Sequence, residues 1–183
     1  MKKILLSTLT LLCIACDKTS VNNVVENPHY TKRNQAILNN NNNTNEPSYT
    51  LRQYLLDNGY DTNRNGVLDT NEVTGIIVLN APNKDITSLD GIDNLISLNE
   101  ANFSGNKIRT ATIRVTTLAN LNLSNNRLNQ LDISGATRLV NKLNITGNPD
   151  LLCVKASNNQ RNLLTLSSNF AKDSQTTISE NCN

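Results

Sequence analysis

Apolar residues return along the second half of the chain in a fixed frame, L-x-x-L-x-L-x-x-N-x-L. Residues 118–128 (LANLNLSNNRL) fill every slot, and 98–108 (LNEANFSGNKI) match with Ala101 in a leucine position. Residues 140–148 (VNKLNITGN) fit until Pro149 ends the copy early, and 76–86 (IIVLNAPNKDI) form a degraded first copy with Lys84 in the asparagine slot. The copies start at 76, 98, 118 and 140, so they lie 20 to 22 residues apart. A unit this short cannot bury its apolar face alone, and successive copies must stack on one shared core. The pattern predicts an α+β solenoid, a short coil of three to four repeats over 76–152 with parallel strands. A second motif runs between the strands, in 108–113 (IRTATI) and 128–133 (LNQLDI), and Ile86-Thr87-Ser88-Leu89 begins likewise. Its apolar positions are expected to close the convex side of each coil. Asn106, Asn126 and Asn148 fall where the chain turns out of each strand, where buried amides satisfy backbone groups that would otherwise be orphaned.

Ahead of the repeats the spacing is helical. Ser48 is placed to cap a helix carrying Leu51, Tyr54, Leu55 and Leu56, and Gly59 stops it. Residues 61–72 (DTNRNGVLDTNE) then carry oxygen-bearing side chains at loop positions 1, 3, 5 and 9, glycine at 6 and glutamate at 12, the frame of an EF-hand calcium loop. Ca2+ is a hard cation that takes six to eight oxygens. Asp61, Asn63, Asn65 and Asp69 offer side-chain oxygens, Val67 its carbonyl and Glu72 two oxygens. Gly66 takes the sharp turn, and Leu68 pins the loop to its neighbours. Only Asp61, Asp69 and Glu72 are acidic and no second loop pairs with this one, which places the site in the weak class, Kd ~10⁻⁴–10⁻³ M. The helix-loop-helix over 48–75 runs without a linker into the degraded first copy. Through Leu55, Leu56 and Leu68 it is expected to cover that copy's open edge, with calcium as a structural ion.

Residues 1–16 (MKKILLSTLTLLCIAC) join Lys2 and Lys3 to an apolar run far shorter than a membrane span, which reads as an export signal over 1–15. The closing Cys13-Ile14-Ala15-Cys16 resembles the lipobox of bacterial lipoproteins, with Cys13 where leucine is usual. That resemblance implies cleavage before Cys16 and a membrane anchor through lipid on Cys16; cleavage as an ordinary secretory signal is the other reading. Residues 16–47 hold no lasting apolar period and include the asparagine run 39–43, so they read as a disordered tether, with His29 a solvated side chain within it. With Cys13 removed and Cys16 acylated, Cys153 and Cys182 remain as an even pair in an oxidising compartment. A disulfide is the default there, closing a loop of roughly 28 residues.

Calcium loop, short leucine-rich repeats with S-N-N or S-G-N turns, the segment Asn148-Pro149-Asp150-Leu151-Leu152-Cys153 and a terminal Glu180-Asn181-Cys182 together resemble the small EF-hand/leucine-rich-repeat surface lipoproteins of Gram-negative bacteria. The resemblance spans 48–183. It implies a C-terminal cap over 153–183 closed by Cys153 and Cys182, in which Phe170 holds the place of the family's aromatic. It also implies a lipid-anchored protein that binds or adheres at the cell surface, without enzymatic activity; the outer membrane is the favoured location, and Asp17 after the lipidated cysteine leaves the inner membrane as the other reading.

Composition narrows the chemistry further. Charged residues make up 17% of the 183 and aromatics 3%, with no tryptophan. Seventeen basic residues, less Lys2 and Lys3 in the leader, balance fifteen acidic ones, and a neutral chain without a basic block has no electrostatic basis for binding nucleic acid. A single histidine excludes multi-histidine metal sites and histidine-based catalysis. The frame instead stacks Asn80, Asn102, Asn122 and Asn144 in one outward column, beside Val78, Glu100, Asn120 and Lys142. An amide column suits hydroxyl-rich glycans or exposed peptide backbone as a protein or glycan interaction surface; a face kept polar for solubility is the alternative. A structural envelope lipoprotein, stacked on a neighbouring protein, is the competing function.

Overall fold

A computed structural model describes residues 48–182. The leader, Cys16 and the tether with His29 lie outside the described residues. The described residues form nine short strands in two parallel sheets, with three α-helices and one 3₁₀ turn. In chain order the elements are α1 (Leu51–Asp57), α2 (Thr70–Val73), β1 (Val78–Asn80), a 3₁₀ turn (Ile92–Asn94), β2 (Glu100–Asn102), β3 (Thr110–Thr112), β4 (Asn120–Asn122), β5 (Gln130–Asp132), β6 (Lys142–Asn144), β7 (Cys153–Lys155), α3 (Asn158–Leu166), β8 (Phe170–Ala171) and β9 (Thr177–Ser179). The first sheet runs β1-β2-β4-β6-β8 and the second β3-β5-β7-β9. From β2 onward consecutive strands alternate between the sheets without exception, as in a chain that winds turn upon turn.

Each three-residue strand of the first four turns buries its middle residue and leaves the flanks outside. Leu79, Ala101, Leu121 and Leu143 therefore stack inward in register. Ala111, Leu131, Val154 and Ile178 do the same across the second sheet. The second motif thus forms a parallel sheet of its own rather than a plain convex wall.

The slot asparagines join one turn to the next. Asn126, 7% exposed, donates through Nδ2 to Phe103 O (2.9 Å) and Leu123 O (3.0 Å) and accepts from Ile108 N (3.1 Å). Asn106 and Asn148 repeat the pattern on Ala81, Phe103 and Ile86, and on Leu123, Ile145 and Leu128. Lys84 does not fill this slot; its side chain is exposed, and its N–H donates to Asn106 Oδ1 (2.9 Å). Among the described residues no earlier strand of the first sheet precedes β1, so nothing there requires an amide bridge. The position before each slot needs positive φ, and Asn83 (54°), Gly105 (69°), Asn125 (55°) and Gly147 (73°) all take it. That shared backbone state explains why the turns read S-G-N or S-N-N.

Both ends of the winding are covered. Leu51, Tyr54, Leu55 and Val73 bury against the first turn and Leu68 packs partly on it, whereas Leu56 is only half-buried and lies outside this core. Helix α1 is capped by Thr50, whose Oγ1 accepts from Gln53 N (3.2 Å), not by Ser48. Ser48 lies one step too far out and pairs its hydroxyl with Thr87 Oγ1 (3.0 Å). Gly59 (φ 82°) ends α1 as expected, with Tyr60 N bonding back to Leu55 O (3.1 Å). At the far end the ladder continues past residue 152, where the repeat frame has already lapsed. Phe170 pairs with Leu143 and packs on the core, and Cys153–Cys182 form a disulfide with Cα atoms 5.7 Å apart. Gln160, fully buried, anchors α3 by donating to Ile133 O (2.9 Å) and Ala136 O (2.8 Å). No helix among the described residues is long and apolar enough to cross a membrane.

Candidate functional site

Two places gather the side chains singled out in the sequence. The first is the loop between α1 and α2. Asp61 Oδ1 accepts from Asn65 N (3.1 Å) and Oδ2 from Gly66 N (2.8 Å), which draws the loop around Gly66 at φ 81°. Asn63 and Asn65 each accept the N–H two residues on, from Asn65 and Val67 (2.9 and 2.8 Å), in successive Asx turns. Their Nδ2 groups both donate to Asp69 Oδ2, at 2.9 and 3.1 Å. Four of the six predicted ligands are thereby brought together.

Glu72 closes the loop differently. Its Oε1 accepts from Thr62 N (2.7 Å), Thr62 Oγ1 (2.9 Å) and Asn63 N (3.2 Å), and its Oε2 from Asp69 N (2.9 Å). The Asp69 N–H, ahead of a partial loss of solvation that acts the other way and of the bonds from Asn63 and Thr62, holds its carboxyl below the usual range. The bond to Asp69 N also completes a capping box at the start of α2. Val67 is exposed, and Arg52 Nη2 reaches the loop at Gly66 O (2.9 Å). Among the described residues, no three His, Cys, Asp or Glu side chains gather as a metal-holding group. The donor set is all oxygen, as a hard cation prefers. In the arrangement described, amide hydrogens and backbone N–H groups serve the carboxylates.

The second place is the outer face of the first sheet. The register aligns Asn80, Asn102, Asn122 and Asn144 in one row, and Val78, Glu100, Asn120 and Lys142 in the next. Asn102, Asn122 and Asn144 each turn Oδ1 onto the N–H two residues ahead, from Ser104 (3.1 Å), Ser124 (3.0 Å) and Thr146 (3.1 Å). Hydroxyls of Ser124 and Thr146 add second bonds at 2.8 and 2.9 Å. Asn102 Nδ2 donates along the row to Asn80 Oδ1 (2.9 Å). The sequence placed these residues in a column. It did not reveal that the amides of Asn102, Asn122 and Asn144 are turned one way, because that follows from the turn geometry after each strand.

The second sheet offers a contrast. Its outward row, Thr112, Asp132, Lys155 and Ser179, is partly self-paired. Asp132 accepts from Ser134 Oγ (2.6 Å) and N (2.9 Å) and sits 3.3 Å from Lys155 Nζ. Burial raises its carboxyl, but the Ser134 bonds and Lys155 together outweigh it and hold the group below its ordinary range. A groove of about 710 Å³, unmarked in the sequence, lies against α1, α2 and the 3₁₀ turn, with Leu55, Leu68, Val73 and Ile96 on its walls.

No known family model matches the chain, and comparison of its sequence with curated proteins finds no match.

Proposed function

We propose that this is a calcium-stabilised, leucine-rich-repeat lipoprotein of the cell envelope that acts as an interaction module, binding a protein or glycan through the outer face of its first sheet. The observation that carries the reading is the amide row. Four asparagines stand in strict register, and at least three have the same backbone-enforced orientation, so they present one repeated chemical group along the sheet. A rigid repeated surface is the usual basis of recognition in stacked-repeat proteins, and ordering it in advance lowers the entropy cost of binding.

Calcium enters as a structural ion at the EF-hand loop, held by Asp61, Asn63, Asn65, Val67, Asp69 and Glu72. The oxygen donor set and the meeting of Asn63, Asn65 and Asp69 favour this reading. Binding would require Asn63 and Asn65 to turn their carbonyl oxygens toward the ion and Glu72 to leave Thr62. Cys16 supplies the lipid anchor, so the module works from the membrane surface.

The test is capture on the immobilised full-length protein, with extracts of the cell envelope and of host surfaces competing. A soluble or host-surface ligand supports the interaction reading. An abundant envelope protein as the sole captured species supports a purely structural envelope role instead.

A further inference from the structure

We infer that the amide row takes a neutral, linear glycan lying across the strands, with about one sugar ring per strand; this rests on the reading of the first sheet as a binding face. The argument starts with hydrogen-bond polarity. A backbone N–H can be met only by the oxygen of an amide, so the bonds from Ser104, Ser124 and Thr146 fix which end of Asn102, Asn122 and Asn144 faces the sheet. Among the described residues no buried side-chain nitrogen or oxygen lacks a partner. The Nδ2 groups of Asn122 and Asn144 have no partner among the described residues, so both reach solvent. Asn80 is exposed outright. The row therefore presents N–H donors with most of its acceptors already occupied.

Spacing selects the ligand. Neighbouring strands lie about 4.8 Å apart, so the donors recur at that interval. An extended peptide laid across the strands presents carbonyls on one edge only every ~6.8 Å and falls out of step after one contact. A helical peptide has its carbonyls bonded internally. A sugar ring in an extended chain spans about one strand interval, and each ring carries hydroxyl and ether oxygens able to accept. Asn120, in the adjoining row and half-buried, has no side-chain partner among the described residues and adds both a donor and an acceptor for a ring hydroxyl.

Charge argues for a neutral polymer. Glu100 and Lys142 stand in the same adjoining row with opposite signs, two strands apart, and among the described residues of the two rows Lys142 is the single cation, too few to hold a polyanion. The second sheet lacks this property, because Asp132 is already engaged by Ser134 and Lys155.

The test titrates the full chain with neutral β-1,4-linked and β-1,3-linked oligosaccharides of two to six rings, by calorimetry and by NMR of the asparagine side-chain amides. Affinity should climb with length to four rings and then level, as the four asparagines are filled, with the Asn102, Asn122 and Asn144 amide signals shifting together. Asn122→Asp keeps the acceptor for Ser124 while removing the donor. It should bind about tenfold more weakly at an unchanged melting temperature. Absence of binding at every length, or equal binding by Asn122→Asp, overturns the glycan inference. If oligosaccharides fail but an unstructured polypeptide such as reduced casein binds the wild type and not Asn122→Asp, the glycan is overturned while the interaction reading stands. Failure of both probes overturns both.

Discussion

At the scale of single residues, asparagine does three separate jobs within the stacked turns, and they separate by environment. Asn126 is buried and bridges two turns, so Asn126→Ala leaves Ile108 N without its partner and takes one of two amide donors from each of Phe103 O and Leu123 O, which keep Asn106 and Asn148. Unsatisfied buried backbone groups are costly, and urea titration should find the variant destabilised by about 3 kcal/mol. Its neighbour Asn125 is present for its positive φ, the same state that Gly105 and Gly147 adopt one turn away on either side. Asn125→Gly should therefore change stability by no more than about 0.5 kcal/mol in the same titration. Asn122 is the third kind, with its amide turned outward. Asp132 adds a pH dependence. Its carboxyl lies below the ordinary value when folded, so its contribution is present above the unfolded pKa and lost as pH falls through the folded one. The stability difference between wild type and Asp132→Asn should accordingly shrink below about pH 4.

At the scale of elements, the first-sheet strands and the slot asparagines were legible because one inward residue and one buried amide recur at fixed spacing. The second sheet was less so. Strands of three residues are too short to display a two-residue alternation, and Ile108–Ile113 reads equally well as a wall or a strand. Strands β8 and β9 were hidden because α3 is inserted ahead of them and breaks the period. The role of Gln160 carried no signal, since a polar residue on a helix normally faces water. Ser48 and Thr50 are both good caps, and the start of α1 is placed by tertiary pairing that the sequence does not display, Thr87 N to Tyr49 O and Leu51 N to Ser88 O (both 2.8 Å). In the loop of 61–72 the convergence of Asp61, Asn63, Asn65 and Asp69 was legible, but the engagement of Glu72 by Thr62 was not. If that loop takes calcium, millimolar ion at a Kd near ~10⁻⁴ M stabilises the fold by about 1.4 kcal/mol. Thermal melts should show a rise of a few degrees that Asp61→Ala and Glu72→Ala abolish and Asn63→Ala only weakens. Superimposable melts with calcium and with chelator would reduce the loop to a hydrogen-bonded turn.

At the scale of the whole molecule, a stack of short turns is only as stable as its ends. One end is covered by α1 and α2, the other by α3, β8 and β9 with the Cys153–Cys182 link across 29 residues of sequence. Breaking that link by Cys182→Ser should cost about 3 kcal/mol, and hydrogen exchange should quicken first in β7 and β9. Between the covered ends the two sheet faces differ, the first with its amides turned outward and the second with Asp132 held by Ser134 and Lys155. The most direct test of the first face as the working surface compares three forms of the full-length protein for capture from surface extracts. These are the wild type, Asn122→Asp with Asn144→Asp, and Asp132→Asn with Lys155→Gln, each first checked for melting temperature. The account predicts that the first-sheet pair loses the captured ligand while the second-sheet pair retains it. Retention by the first-sheet pair, or loss confined to the second-sheet pair, would contradict it.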